Sequence, residues 1–192
     1  KSLIYKDISK GVDISVFPET ALSGYTCGAL WDKPEFIRDQ EMFLDGLRET
    51  TYSSNITVII GFVKMEGINR GGFPILRNAV ACINKNTIQT YYKQLLANYD
   101  HHEDKKYFIP GTETKVFNIT TNNGVVCIGV PICEDSWFNS HTRNIPQEMV
   151  NMGAQVLISI NQSYFYYGKQ DIRYELSRSI AKDNGVPFVY LN

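Results

Sequence analysis

The chain has 192 residues, of which 43% are hydrophobic and 20% charged, and its formal net charge is -1. That length suits one domain with a core of ordinary size, so we expect residues 1–192 to belong to a single domain. The balanced charge and the lack of any apolar run near the roughly 18 residues of a membrane span lead us to expect neither nucleic acid nor a membrane as a partner.

The first half of the chain alternates between strand-like and helix-like segments. Short β-branched or apolar runs bounded by turn residues are typical of strands, and apolar residues three or four apart are typical of a helix. The predicted elements are a strand at 12–17, a helix at 34–50, a strand at 57–63, and an antiparallel hairpin of 79–83 and 87–93 around the turn 84–86. A polar loop then runs to Pro110-Gly111, and its length suggests a functional segment.

The second half begins with another hairpin pattern and continues with strand–helix–strand units. The predicted elements are strands at 115–119 and 125–132 around a turn at 122–124, a helix at 145–152, a strand at 155–160, a helix at 169–183 and a strand at 187–191. Hairpins combined with strand–helix–strand units predict an α/β sandwich with mixed sheets.

The most informative position is Cys133, which ends the apolar run of 125–132 and precedes an acidic pair. Open α/β sheets bind ligands at the carboxyl ends of their strands, so a thiol in that place is a candidate nucleophile. The alternative is a buried structural cysteine, which is what we expect of Cys127 on the same predicted strand. The cysteines form no Cys-x-x-Cys pair, which favours reduced thiols and a cytoplasmic protein.

Two further strand ends carry groups that complement a thiol. Glu19 follows the first predicted strand, and Lys93 ends the strand of 87–93. Each alone is explained as a solvated surface residue. Together with Cys133 they supply a base for the thiol proton and a cation for a developing oxyanion, which suffices for amide hydrolysis through a thioester.

Other kinds of site have less support in the sequence. The three histidines are His101, His102 and His141, and none lies where a strand-end base for Cys133 is expected. No spacing of His, Cys, Asp or Glu is typical of a metal site, so no metal is predicted. The phosphate-binding glycine motifs are also missing.

Four blocks of sequence carry a family resemblance. They are the segment after the first strand, the segment around Lys93, the Cys-Glu-Asp-Ser-Trp segment at Cys133, and an Asn-x-Ser segment followed by Gly-Lys and Arg: residues 17–31, 92–100 with 106–111, 132–137, and 161–173. On these blocks the chain resembles the nitrilase (carbon–nitrogen hydrolase) superfamily, and within it the glutaminase domains of glutamine-dependent NAD synthetases. The blocks follow the family's order and span nearly the whole chain.

The resemblance implies a fold and three catalytic roles. The fold is the nitrilase-type αββα sandwich, which often assembles into homo-oligomers through its helix layers. Glu19 is expected to be general base and acid, Lys93 the oxyanion stabiliser, and Cys133 the nucleophile that forms a γ-glutamyl thioester. The backbone N–H of Glu134 is expected to be a second oxyanion donor.

The resemblance also implies substrate-binding positions. They are Tyr25, Tyr99, Glu134, Ser163 and Arg173. A free glutamine needs a cation for its α-carboxylate and an acceptor for its ammonium, and we assign these to Arg173 and Glu134. The alternative for Arg173 is an exposed residue of an amphipathic helix.

The chain departs from the family pattern at Ala97, where relatives have Pro, and at Asp104, where they have the glutamate that orients the lysine. The expected supporting carboxylate is therefore one methylene shorter. Compared with the family, the domain is expected to be incomplete at both ends, and the sequence contains no Ser-Gly-Gly-rich synthetase segment.

The predicted function is hydrolysis of the L-glutamine side-chain amide. The ammonia would pass to a synthetase domain that amidates deamido-NAD, and ATP and Mg are expected only in that domain, with no cofactor in this one. Two alternatives remain open: another nitrilase-type amidase that acts on a small amide, or an inactive module that keeps the fold for binding.

Overall fold

The computed structural model of the chain describes residues 1–85 and 87–192, and Asn86 of the predicted hairpin turn lies outside them. The described residues form two four-stranded sheets. The first sheet has the order β1-β2-β3-β4, with β1 Ile14–Val16, β2 Thr57–Ile68, β3 Pro74–Ile83 and β4 Ile88–Tyr92. β1 is parallel to β2, and the other neighbours are antiparallel.

The second sheet is also mixed. Its order is β5-β6-β7-β8, with β5 Val116–Thr121, β6 Gly124–Gly129, β7 Val156–Ile160 and β8 Phe188–Leu191. β5 and β6 form an antiparallel hairpin, whereas β7 is parallel to both of its neighbours. The parallel pairs need crossover connections, and helices supply them.

Helices cover the outer face of each sheet. They are α1 Ser2–Ser9, α2 Pro34–Thr51, α4 Ile145–Asn151 and α5 Lys169–Asn184, whereas α3 Asp104–Tyr107 is a single turn in the segment after β4. Ile4 of α1 and Leu44 and Leu47 of α2 pack on the first sheet. Met149 of α4 and Ile180 of α5 belong to the cluster of the second sheet. The αββα sandwich with mixed sheets is thereby confirmed.

Strand β2 shows how the layers are held together. Val58 and Ile60 pack toward α1 and α2, whereas Ile59 packs between the two sheets. Side chains alternate between the two faces of a strand, so a strand buried on both faces needs a continuous apolar run. The continuous apolar run at 57–63, which predicted this strand, therefore reflects the burial of β2 on both of its faces.

Three local expectations differ from the structure. β6 ends at Gly129 rather than at residue 132, because Pro131 has no amide hydrogen for the ladder. Ile132 pairs again with Ile160 before the chain turns. Cys133 consequently begins a short 3-10 helix, Cys133–Ser136, instead of ending a strand. Cys127 is partly exposed on β6 and is not the buried cysteine that we expected.

The strand pattern also missed part of the first sheet. β2 continues to Ile68, and β3 begins at Pro74. Polar and apolar residues alternate in these outer halves, so a search for continuous apolar runs did not detect them. Helix α1 likewise had no prediction from periodicity. Over the described residues, no helix combines the length and the apolar character needed to cross a membrane.

Candidate active site

The structure brings Glu19, Lys93 and Cys133 together between the sheets. Glu19 lies just beyond β1, Lys93 follows β4, and Cys133 begins the 3-10 helix after β6. Lys93 Nζ lies 2.7 Å from Glu19 Oε1. The Cys133 thiol lies within electrostatic reach of both, since Glu19 raises its pKa and Lys93 lowers it.

A glycine lets the chain carry Glu19 into the interior. A Cβ on Gly61 of β2 would lie 2.4 Å from both the Pro18 carbonyl oxygen and the Thr20 nitrogen, which no side chain tolerates. Thr20 itself has a φ of 47°, in the left-handed region that few non-glycine residues adopt. The turn after β1 is therefore pressed against β2, and this places the Glu19 side chain between the sheets.

The Glu19 carboxylate is fully buried and has hydrogen-bond donors on both oxygens. Oε1 accepts from Asn78 Nδ2 at 2.8 Å and from Lys93 Nζ at 2.7 Å. Oε2 accepts from the backbone N–H of Gln162 at 2.8 Å. A buried carboxylate is tolerated only with such partners, and these donors hold both oxygens of Glu19 in place.

Lys93 lies between two carboxylates. Its Nζ is 2.8 Å from Asp104 Oδ2 in addition to the contact with Glu19. Burial alone would lower the pKa of Lys93, but the charges of Glu19 and Asp104 raise it well above its ordinary value. The lysine is a permanent cation, suited to stabilising negative charge rather than to accepting a proton.

Asp104 reaches the lysine although it is shorter than the glutamate of the family pattern. It begins the short helix α3, and its Oδ2 also accepts from the backbone N–H of Ala97 at 3.0 Å. The Tyr25 hydroxyl donates to its other oxygen at 2.7 Å. The carboxylate is thus held at both oxygens and contacts Lys93 despite the shorter side chain.

Cys133 combines burial with an unusual backbone. It is 4% exposed, and its φ of 45° lies in the left-handed region. Strained residues of this kind are frequent at functional sites, where the surrounding structure holds them in place. Burial and the nearby Glu19 raise the pKa of Cys133 well above its ordinary value. The raised pKa favours the protonated thiol in the free protein, so a base would have to take its proton before it could attack.

Cys133 opens onto a cavity of about 660 Å³. Its walls come from the segment after β4, from the Cys133 turn, and from the segment that leads into α5. The lining residues are Tyr99, Asp100, His101, His102, Cys133, Trp137, Ser163, Tyr164, Phe165, Tyr166, Lys169 and Ile172. The cavity is large enough for an amino acid and offers both aromatic and charged groups.

Two of the predicted substrate-binding residues, Tyr99 and Ser163, line this cavity. Glu134, next to Cys133, is 2% exposed and accepts from the Tyr99 hydroxyl at 2.7 Å. Its other oxygen lies 2.8 Å from His141 Nε2. Tyr99, Glu134 and His141 therefore form one connected group at the cavity.

The other two predicted positions lie elsewhere. Arg173 Nη2 donates to the carbonyl oxygens of Ser163 at 2.7 Å and Tyr164 at 3.3 Å, so it supports the backbone of the cavity wall instead of lining it. Tyr25 holds Asp104 and lines a neighbouring cavity of about 220 Å³. The lysine of the cavity wall is Lys169, which the sequence analysis did not single out.

Sequence reasoning missed several contributors to the site. They are Asn78, the backbone N–H of Gln162, Asp135, His102 and His141. Asn78 was detectable as an amide at the start of an apolar strand. The backbone donor and the histidine contacts have no sequence signal, because they depend on how distant segments pack.

The two histidines contact neighbours of the catalytic groups. His102 Nδ1 lies 3.0 Å from the Tyr25 hydroxyl. That hydroxyl gives its proton to Asp104, so the imidazole nitrogen must be the donor in this pair. Burial, reinforced by the charge of Lys93, lowers the pKa of His102 and favours its neutral form.

Over residues 1–85 and 87–192, no group of three or more His, Cys, Asp or Glu side chains is arranged to hold a metal ion.

Known proteins match this chain over nearly its whole length. The family model described as carbon-nitrogen hydrolase matches residues 2–192. The glutamine-dependent NAD(+) synthetase of Synechocystis sp. is 30% identical over 193 residues, covering 96% of this chain and 34% of the relative. That of Thermotoga maritima is 28% identical over 184 residues, covering 95% and 30%. The chain spans about a third of the length of these curated relatives.

Solved structures share the fold. A glutamine-dependent NAD+ synthetase from Acinetobacter baumannii superposes with a TM-score of 0.82 at 22% identity, covering 99% of this chain and 34% of that one. A carbon-nitrogen hydrolase from Helicobacter pylori superposes with a TM-score of 0.76 at 19% identity, covering 98% and 65%.

Proposed function

The chain belongs to the carbon–nitrogen hydrolase family, and we propose that it hydrolyses the side-chain amide of L-glutamine to glutamate and ammonia. The observation that carries this proposal is the buried group of Glu19, Lys93 and Cys133 beside a cavity of amino-acid size. A thiol, a carboxylate and an ammonium are the groups that amide hydrolysis through a thioester needs. The curated relatives are named glutamine-dependent enzymes, which favours glutamine as the amide.

The cavity offers groups for both charged ends of glutamine. Lys169 Nζ lies 4.3 Å from the ring centroid of Trp137, on the cavity wall. We therefore assign the α-carboxylate to Lys169, which lines the cavity, whereas Arg173 does not line it and directs its Nη2 at backbone carbonyls. Glu134 stays the proposed acceptor for the α-ammonium, because each carboxylate oxygen has two lone pairs and accepts a single hydrogen bond from the described side chains. Tyr99 and Ser163 complete the proposed contacts.

The first half-reaction forms a thioester. The Cys133 thiol gives its proton to Glu19 Oε2, and the sulfur attacks the amide carbon. Negative charge develops on the amide oxygen, and Lys93 Nζ and the backbone N–H of Glu134 stabilise it. Glu19 then protonates the amide nitrogen, the C–N bond breaks, and ammonia leaves a γ-glutamyl group on the sulfur.

The second half-reaction releases glutamate. Glu19 takes a proton from a water molecule, whose oxygen attacks the thioester carbon. The same donors stabilise the second oxyanion. The C–S bond breaks, and Glu19 returns the proton to the Cys133 sulfur, so that the free enzyme is restored.

We further propose that the ammonia is used by a NAD synthetase domain, where deamido-NAD is amidated at the expense of ATP. This rests on the names of the curated relatives, of which the chain spans about a third. ATP and Mg would belong to that domain. Assembly of the nitrilase-like domain into a homo-oligomer and a cytoplasmic location stay predictions.

The direct test is Cys133→Ala, assayed by ammonia release from L-glutamine. We expect turnover to fall at least about 10³-fold, because the covalent route is lost. Cys127→Ala is the matched control: this cysteine is partly exposed on β6, away from the cavity, and its loss should leave turnover within about twofold of the original.

Other outcomes decide between the alternatives. Glutamine turnover retained in Cys133→Ala would contradict the mechanism. A strong preference for short aliphatic amides over glutamine would support another small-amide amidase. A folded protein whose Cys133 forms no adduct with a glutamine-mimicking electrophile would support an inactive binding module.

A further inference from the structure

A buried carboxylate two residues after Cys133 joins the two halves of the site. Asp135 is fully buried, and its oxygens accept four hydrogen bonds. The donors are the Gln94 N–H at 3.0 Å and the Leu95 N–H at 2.8 Å on Oδ1, with the Tyr91 hydroxyl at 2.8 Å and the Ile132 N–H at 3.1 Å on Oδ2. Two donors directly follow Lys93, and one directly precedes Cys133.

The same contacts close the turn of the nucleophile. Asp135 N–H donates to the Ile132 carbonyl at 3.1 Å, while its side chain accepts from the Ile132 N–H. Cys133 lies inside this loop with its φ of 45°. A non-glycine residue keeps such a conformation only where its surroundings enforce it. Asp135 is the residue that closes this turn and also binds the segment carrying Lys93.

We propose that Asp135 is a positioning residue, which holds the Cys133 turn against the Lys93 segment and so fixes the thiol relative to the lysine. It touches none of the reacting atoms and acts through the backbone of Ile132, Gln94 and Leu95. Its effect on glutamine turnover rests on the proposed function, whereas its effect on the thiol does not.

The arrangement is sensitive to protonation. Four donors directed at one carboxylate favour its ionised form, since a proton on either oxygen would face one of these donors. Burial raises the pKa of Asp135 to about 6, against the opposing effects of its hydrogen bonds and of the Lys93 charge. Tyr91 of β4, Lys93 after it, and Arg143, whose guanidinium contacts the Gln94 side chain, are the ionisable groups that interact with this carboxylate.

The turn at Cys133 should be less well held as the pH falls. Above about pH 6 Asp135 is ionised and the turn is held; below it the carboxyl is protonated and the turn relaxes. Tyr91→Phe removes one donor to the ionised form while keeping the ring. The pKa of Asp135 should then rise further. The loss of Cys133 reactivity toward low pH, here called the acidic limb, should therefore begin at a higher pH.

The experiment measures two quantities from pH 5 to pH 8: the rate of Cys133 alkylation by iodoacetamide, read by peptide mass spectrometry, and kcat and KM for glutamine. In Tyr91→Phe we expect both acidic limbs to move up by about 0.5 to 1 pH unit, with kcat at pH 6 lowered about 3- to 10-fold. KM should stay within about twofold, because the cavity wall is unchanged.

Two further variants complete the test. Asp135→Asn keeps the shape without the charge. It should slow alkylation about 10²-fold and leave only the rise with pH that deprotonation of the thiol itself produces. Ile83→Val removes one buried methyl group from the cluster between α1, α2 and the first sheet, away from Asp135, and should leave both limbs in place.

The outcomes separate the two proposals. Limbs in Tyr91→Phe that coincide with those of Ile83→Val would overturn the role of Asp135. Alkylation limbs that move as expected in a protein with no glutamine turnover would uphold that role and reject glutamine as the substrate.

Discussion

The reacting groups and the cavity wall of this site are built in opposite ways. Glu19, Lys93 and Asp104 are at most 1% exposed and are linked by contacts of 2.7 and 2.8 Å. Tyr99 and Phe165 on the cavity wall are 50% and 76% exposed. No ion pair involving Lys169 is present over the described residues; its ammonium instead lies over the rings of Trp137 and Tyr166.

This difference indicates how each part responds to change. Buried charges persist only when every partner is in place, so removal of one partner affects the whole group. Exposed contacts are screened by water and act nearly independently of one another. We therefore expect substitutions among the buried charges to lower kcat and stability together, and substitutions on the wall to raise KM alone.

The largest effect is expected for Lys93→Ala. It leaves the carboxylates of Glu19 and Asp104 buried without their cation, which costs about 3–5 kcal/mol of unfolding free energy and at least about 10³-fold in turnover. Urea unfolding and ammonia release measure the two.

A fully stable Lys93→Ala protein without activity would contradict the expected joint loss of stability and turnover. That result would show the carboxylates to be protonated or solvated in the variant, and the buried group to be less interdependent than the distances indicate.

An intermediate effect is expected for Asp104→Asn. The variant keeps the contact between Lys93 and Glu19 but removes one of the two charges that raise the pKa of Lys93. We expect kcat to fall about 10- to 10²-fold with KM within about twofold, measured by initial rates at several glutamine concentrations. Glu103→Gln is the neighbouring control, since Glu103 is exposed and pairs with Lys106 on the surface. Equal loss in both variants would contradict a specific role for Asp104.

The smallest effects are expected for two basic residues of α5, of which Lys169 lines the cavity and Arg173 supports the backbone behind its wall. Lys169→Met should raise KM for glutamine about 10-fold without changing kcat, because it removes the cation proposed for the α-carboxylate. Arg173→Met should lower the unfolding free energy by about 1–2 kcal/mol, with a smaller effect on KM. The Tyr164 carbonyl loses the hydrogen bond from Nη2, whereas the Ser163 carbonyl keeps one from Asn192 Nδ2. The reverse pattern would restore Arg173 as the substrate-binding residue.

Much of the arrangement of the buried charged groups was predictable from local sequence. The apolar run that ends at Pro18 and the hairpin that ends near Lys93 place their charges at strand ends, and strand ends of one sheet meet at one edge. The partners were not predictable, because Asn78 and the Gln162 N–H reach Glu19 only after the two sheets pack together.

The cavity wall was predicted less well, because its residues too depend on how distant segments pack. The family resemblance implied an arginine near the substrate, but a resemblance does not tell which turn of α5 faces the cavity. Lys169 and Arg173 are four residues apart, about one helical turn. The arginine instead satisfies two backbone carbonyls, a role that side-chain chemistry alone does not reveal.

The hydrogen bond between Glu19 and the Gln162 backbone has a consequence for how the protein acquires activity. It joins residues 143 positions apart in the chain, from different sheets. Contacts of such long range close late when a chain folds, because the intervening loop entropy must first be overcome. Recovery of Cys133 reactivity after dilution from denaturant should therefore lag behind recovery of secondary structure.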